Sequence, residues 1–173
     1  MKAFFLVLLI LSLPVVVHSK SCDDLRPSGS GDRRLSPELK EDWKWMKCKA
    51  ENGDTFQQYY VGIHLIGGTS HDGVNAQKGL NLITMSASKG YETAQWYLAR
   101  YYLGKELVGN TLEEVHDLNK GYQWLYILSN SDKAYSELLN LYKERLSEIR
   151  KRFSEKDLQN LEREAYKLLE NSR

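Results

Sequence analysis

The sequence predicts an all-α chain: a right-handed α-solenoid of about three helix-turn-helix repeats, closed by a C-terminal capping helix. Three observations lead there. Apolar residues recur at helical spacing in runs of 11–15 residues, most of the runs stop at a glycine, and one ten-residue block returns 37 residues later. The composition is that of a globular domain, with 42% hydrophobic and 27% charged side chains among 173 residues. Lys+Arg 24 against Asp+Glu 23 leaves no basic excess, which argues against a protein that coats nucleic acid.

The first segment reads as a leader rather than as part of the fold. Met1-Lys2 precede an apolar stretch of 15 residues, Ala3 to Val17, interrupted by Pro14. A bilayer span needs about 20 apolar residues, so residues 1–19 are expected to be a signal peptide cleaved after Ser19. No stable membrane insertion is expected after its removal. The expected destination is across the inner membrane, in the periplasm. The remaining chain carries 23 positive and 23 negative side chains.

Residues 20–35 read as an irregular arm, containing the flexible run Pro27-Ser28-Gly29-Ser30-Gly31-Asp32. Cys22 and Cys48 are the only cysteines, and an oxidising compartment favours pairing them. The bridge would fasten the arm to the first helix. A free, buried Cys48 with an unpaired or lipidated Cys22 is the alternative, although Ser19-Lys20-Ser21 matches a lipoprotein box poorly. No His stands at ligand spacing from the cysteines, so no metal and no cofactor are expected.

The repeat domain is expected over residues 36–173. Ser36-Pro37-Glu38 has the chemistry of a helix start, with a capping hydroxyl and a proline at the first helical position. Leu39, Trp43, Met46 and Ala50 follow at helical spacing, ending at Asn52-Gly53. Further helices are expected from Phe56 to Ile66, from Ala76 to Ser88 and from Thr93 to Leu103. Gly67-Gly68, Lys89-Gly90 and Gly104 end them.

Gly53 to Gly62 lies over Gly90 to Ala99 at a period of 37, with Gly67 and Gly104 at the same offset. A fainter third copy sets Ala134, Leu138 and Tyr142 over Ala94, Leu98 and Tyr102 at a period of 40. The alternate helices align Trp45, Leu82 and Trp124, and also Cys48, Met85 and Ile127. Spacing of i, i+4 and i+8 puts a small, a branched and a large side chain on one stripe, so neighbouring helices can approach closely. Gln57 departs from the small residue in the first copy.

These residues resemble the Sel-one-like repeat family, relatives of the tetratricopeptide repeat. Gly90, Ala94-Gln95-Trp96, Leu98-Ala99, Tyr102 and Gly104 carry the pattern most fully, and Gln58-Tyr59 and Val61-Gly62 carry it in the first copy. Gln77-Lys78-Gly79 and Lys120-Gly121-Tyr122 depart from the family's second-helix pattern. The resemblance covers about residues 37–142.

Toward the C-terminus, Ser154-Glu155-Lys156-Asp157 reads as a capping box before a stripe of Leu158, Leu161, Ala165, Leu168 and Leu169, the expected cap of the stack. Glu144, Glu148 and Glu155 offset the basic run Arg150-Lys151-Arg152, which argues against membrane binding by it. Residues 105–110 read as a lengthened loop before a second capping box at Thr111.

No catalytic set is apparent. Ser70-His71-Asp72 are consecutive, whereas a nucleophile, base and orienting acid must converge in space, and the phosphate-loop, dinucleotide and His-Glu-x-x-His patterns are missing. A β-lactam-binding or hydrolysing role belongs to cysteine-rich members of the resembled family, which carry a Cys pair in each repeat; this chain has none. The expectation is therefore a non-enzymatic, protein-binding module of the bacterial envelope. The resemblance also implies a more specific alternative, an immunity protein neutralising a secreted antibacterial effector such as a type VI lipase-like toxin.

Repeat stacks usually bind on the concave side, lined by the first helix of each pair. With Ala94, Leu98 and Tyr102 toward the core, Tyr97, Arg100 and Tyr101 should face away, and Tyr60, Ile63 and His64 are their counterparts. Tyr60, His64, Tyr97, Arg100 and Tyr101 are the expected partner-binding residues, since Tyr and Arg are enriched at interface hot spots.

Overall fold

The computed structural model of the protein describes residues 21–28, 35–104, 117–131 and 136–170. The expected signal peptide, the loop 105–110 with the capping box at Thr111, and Ala134 all lie outside the described residues. Within them the chain is all-helical. A 3-10 turn at Cys22–Leu25 precedes seven α-helices: α1 Lys40–Glu51, α2 Thr55–Gly67, α3 Ala76–Ser88, α4 Glu92–Tyr102, α5 Leu118–Ser129, α6 Ser136–Arg150 and α7 Glu155–Glu170. Each helix from α1 to α5 packs on the next, the 3-10 turn packs on α1, and α7 packs mainly against α5 and also touches α3.

The bounds of α2, α3 and α4 follow the periodicity closely. The start of α1 does not. Asp42 is fully buried, and its carboxylate accepts a hydrogen bond from the Ser36 backbone N–H at 2.9 Å. The Leu39 N–H donates to the Ser36 carbonyl, closing a turn over the residues expected to begin the helix. The His71 N–H donates to the Pro37 carbonyl at 2.8 Å, so the α2–α3 loop holds that turn in place. Helix α1 therefore begins at Lys40.

The 37-residue period reappears as geometry. At the end of α1, Asn52, Gly53 and Asp54 donate their N–H groups to the carbonyls of Cys48, Ala50 and Lys49. At the end of α3, Lys89, Gly90 and Tyr91 donate to Met85, Ala87 and Ser86, the same three bonds 37 residues on. Each turn needs a left-handed residue at its centre, and Gly53 (φ 91°) and Gly90 (φ 86°) supply it. The amides of Gln58 and Gln95 are equivalent as well, donating to the Ala50 and Ala87 carbonyls at 3.1 and 2.9 Å. Each ties a first helix to the end of the helix before it, deep in the core.

At the ends of α2 and α4 the left-handed glycines are Gly68 and Gly104, so the structural partner of Gly104 lies one residue after the aligned Gly67. The third copy diverges more. Leu138, aligned with fully buried Leu98, is 38% exposed. Met85, aligned with Cys48 and Ile127, is 48% exposed.

Helices α2 and α3 cross where two glycines meet. A Cβ on Gly79 would lie 2.6 Å from the Gly62 carbonyl oxygen and 2.7 Å from Ile66 Cγ1. Gly79→Ala is therefore expected to destabilise the protein by about 1–3 kcal/mol through overpacking. Exposed Lys78→Ala should stay within about 0.5 kcal/mol. Urea unfolding midpoints of the two variants check this.

Two apolar clusters result. The larger runs through α2 to α7, with Ile83, Leu98, Leu125 and Tyr142 among its most buried members. The smaller joins Trp43, Met46 and Ala50 of α1 to Val61, Leu65 and Leu82. Ser154 caps α7, accepting from the Asp157 N–H at 3.3 Å, and the expected stripe is the one that packs: Leu158 and Ala165 are buried, Leu161, Leu168 and Leu169 half-buried. Arg150 leaves the basic run to bind Glu162 at 2.7 Å, and Tyr122 donates its hydroxyl to the same carboxylate at 2.8 Å. Burial, then that hydrogen bond, pushes the Tyr122 phenol well up.

Candidate partner-binding face

The arm is fastened as the cysteines predict: Cys22 and Cys48 are joined, with their Cα atoms 5.6 Å apart. The bridge links the arm to α1 and joins no two α-helices. Lys49 adds an ion pair to Asp23 at 3.7 Å.

Of the five expected partner-binding residues, Tyr60, His64, Tyr97 and Arg100 are half-buried. Tyr101 is a correction: it is 6% exposed and packs edge-on against Tyr102 at 5.0 Å. Its burial has a simple cause. Helix α4 is flanked by both α3 and α5, and its Trp96 reaches Tyr142 of α6, so it buries a wider arc than one stripe.

Tyr60, His64 and Tyr97 sit in one connected aromatic strip, joined where Phe56 meets Tyr91 edge-on at 6.4 Å. Phe56 stacks on Tyr60 at 5.7 Å, and Tyr60 meets the His64 ring at 4.5 Å. Tyr59 bridges to α4, with Tyr91 at 5.6 Å and Tyr97 at 6.1 Å. Phe56, 50% exposed, is the most open member. On α4 the Arg100 guanidinium lies over the Trp96 ring at 5.9 Å, and Trp96 rests on Tyr142 at 5.1 Å. Phe56, Tyr59, Tyr91 and Trp96 were not among the expected residues. Each also has a contact that crosses to another element, Phe56 and Tyr59 to Tyr91 and Trp96 to Tyr142, and single-helix periodicity carries no record of that.

Burial sets the electrostatics. The Tyr97 phenol is pushed up to about 12, so it remains a neutral hydrogen-bond donor at physiological pH. Burial lowers the His64 pKa, against a weaker opposing pull from Glu38, and its Nδ1 lies 2.6 Å from the Thr69 hydroxyl. The fold thus favours neutral His64. Its contribution to stability is present above the unfolded pKa, about 6.5, and is lost as the pH falls through the lower folded value. The ring is expected to titrate below 6.5 by NMR. The drop in Tm between pH 7 and 5 should be smaller in His64→Gln than in the wild type.

Beside Trp96 opens a groove of about 170 Å³ between α4, α5 and α6. Trp96, Leu103, Leu125 and Ile149 floor it, and Arg100, Arg145 and Arg152 line it with Glu148. Arg145 and Glu148 pair at 3.1 Å.

The residues read as a superficial triad turn to separate partners. Ser70 donates to the Gly73 carbonyl at 2.8 Å, the Asp72 carboxylate pairs with Lys47 at 2.6 Å, and the His71 N–H reaches Pro37. The Lys47 hydrogen bond, foremost among its contacts, holds the Asp72 carboxyl below the usual range. Among the described residues no group of three or more His, Cys, Asp or Glu side chains is placed to hold a metal ion. No described helix is long and apolar enough to cross a membrane. Comparison of the chain with protein-family models, curated proteins and solved structures finds no match.

Proposed function

We propose that this chain is an exported, non-enzymatic protein-binding module of the bacterial envelope, built on Sel-one-like repeats stacked as a right-handed α-solenoid. The observation that carries the reading is the aromatic strip across α2 and α4, presented by a scaffold whose turns repeat bond for bond at 37 residues. Tyr60, Tyr97 and Arg100 are the anchors, with His64 beside them. Large rings with few rotors offer contact area at low entropic cost, and Arg100, braced on Trp96, adds directional donors. The disulfide favours an oxidising compartment. It joins arm to helix and does not bridge a repeat, which favours binding over the β-lactam chemistry of the cysteine-rich repeats.

Affinity capture from envelope extract tests the reading. A stoichiometric partner is expected, with affinity falling at least tenfold, about 1.4 kcal/mol, for Tyr97→Ala or Arg100→Ala. Retention of full affinity by both variants would remove the face assignment, and a failure to retain any stoichiometric protein would remove the function.

A further inference from the structure

We propose that the groove between α4, α5 and α6 is an anchor pocket for an acidic segment of a partner protein, which inserts one large apolar side chain between flanking carboxylates. This inference rests on the protein-binding reading and specifies the chemistry of the partner.

Size argues first. An apolar cavity of roughly 150 Å³ holds one benzene ring, whereas drug-sized ligands occupy pockets of roughly 300–1,000 Å³. At about 170 Å³ this groove fits one aromatic or branched aliphatic side chain on the floor of Trp96, Leu125 and Ile149.

Charge argues second. Three arginines line the groove against one carboxylate, Glu148, which is already paired with Arg145. Arg152, exposed at the rim, sets a positive charge beside the apolar lining. Guanidinium groups there favour carboxylates, which they can grip with two parallel N–H bonds, and penalise a basic segment. Arg145, Glu148 and Ile149 fall at i, i+3 and i+4, so one face of α6 brings charge and floor together. Arg100 is held over Trp96, and both line the groove, on the same helix as Tyr97 of the aromatic strip. A segment anchored in the groove can therefore continue along α4 toward Tyr97. A side-chain-sized pocket ringed by polar contacts is the usual anatomy of an interface hot spot.

The test is an NMR titration of the ¹⁵N-labelled, disulfide-bonded protein with the blocked peptide Glu-Glu-Trp-Glu-Glu. Lys-Lys-Trp-Lys-Lys and Glu-Glu-Ala-Glu-Glu are the controls. The acidic tryptophan peptide is expected to shift the Trp96 indole and the backbone amide of Ile149, and to bind at least tenfold more tightly than either control. Arg152→Glu, at an exposed position that leaves the core intact, should weaken it at least tenfold. Equal binding of the lysine peptide, or shifts confined to other helices, would overturn the proposal. A captured partner that loses affinity with Tyr97→Ala but not with Arg152→Glu would overturn it too, while leaving the protein-binding reading standing. Pocket shifts with the acidic peptide but no stoichiometric partner would instead support the pocket and remove that reading.

Discussion

Trp43→Ala is expected to lower the free energy of unfolding by about 3–5 kcal/mol, a large share of what a domain of this size holds in reserve. Trp43 is 0% exposed and is the largest side chain of the smaller apolar cluster, where it packs with Met46, Val61 and Leu65. Truncation removes the ring's transfer free energy and leaves a cavity that three helices line. It also deprives the Lys47 ammonium of the ring face 5.9 Å away. Because this cluster is separate from the larger one, the loss should be felt first at α1. Chemical denaturation checks the magnitude, and amide hydrogen exchange in α1 and α2, compared with α5, checks the location.

Opening the Cys22–Cys48 bridge is expected to cost about 3–4 kcal/mol, since the bridge closes a chain separation of 26 residues in the unfolded state. The 3-10 turn around Cys22 packs on α1, where the Asp23–Lys49 ion pair and Arg26 over the Trp45 ring at 5.9 Å are surface contacts, so the bridge is its main covalent hold on the core. Urea unfolding with and without reductant measures the effect. A Cys22→Ser, Cys48→Ser double variant should already sit at the lower midpoint and show no response to reductant. A reductant-independent midpoint in the wild-type protein would show that the arm contributes nothing to stability.

Most of the helical architecture was legible in the sequence, and the reasons are local. Gly53 and Gly90 each mark a turn that needs a left-handed residue, and identical turn chemistry 37 residues apart gives identical hydrogen bonds. Helix α3 runs over Ala76–Ser88 as its periodicity predicts, and Asn75 caps it by accepting from the Lys78 N–H. What the sequence hid depends on contacts between distant elements. The carboxylate of Asp42 and the backbone of His71 hold the turn over Ser36-Pro37-Glu38, and nothing in that tripeptide announces either partner. Tyr101 sits outside the stripe of its own helix and is buried by the neighbours of α4.

The candidate face was half legible for the same reason. Tyr60 and His64, and likewise Tyr97 and Arg100, are spaced by helix geometry, so their shared exposure could be read from one helix at a time. The link that joins Tyr60 to Tyr97, through Phe56, Tyr91 and Tyr59, passes between α2 and the start of α4. The groove draws Trp96, Leu125 and Arg145 from three helices, and its charge follows from how those helices meet.

Hydrogen–deuterium exchange of the protein alone and in complex with its captured partner tests the central claim most directly, because it locates the partner on the scaffold without altering a side chain. Binding across the aromatic strip predicts slowed exchange in the segments 56–64 and 91–100, with the exposed side of α7 unchanged. Protection confined to α7 or to the disulfide-tethered arm, with α2 and α4 exchanging as in the free protein, would contradict it.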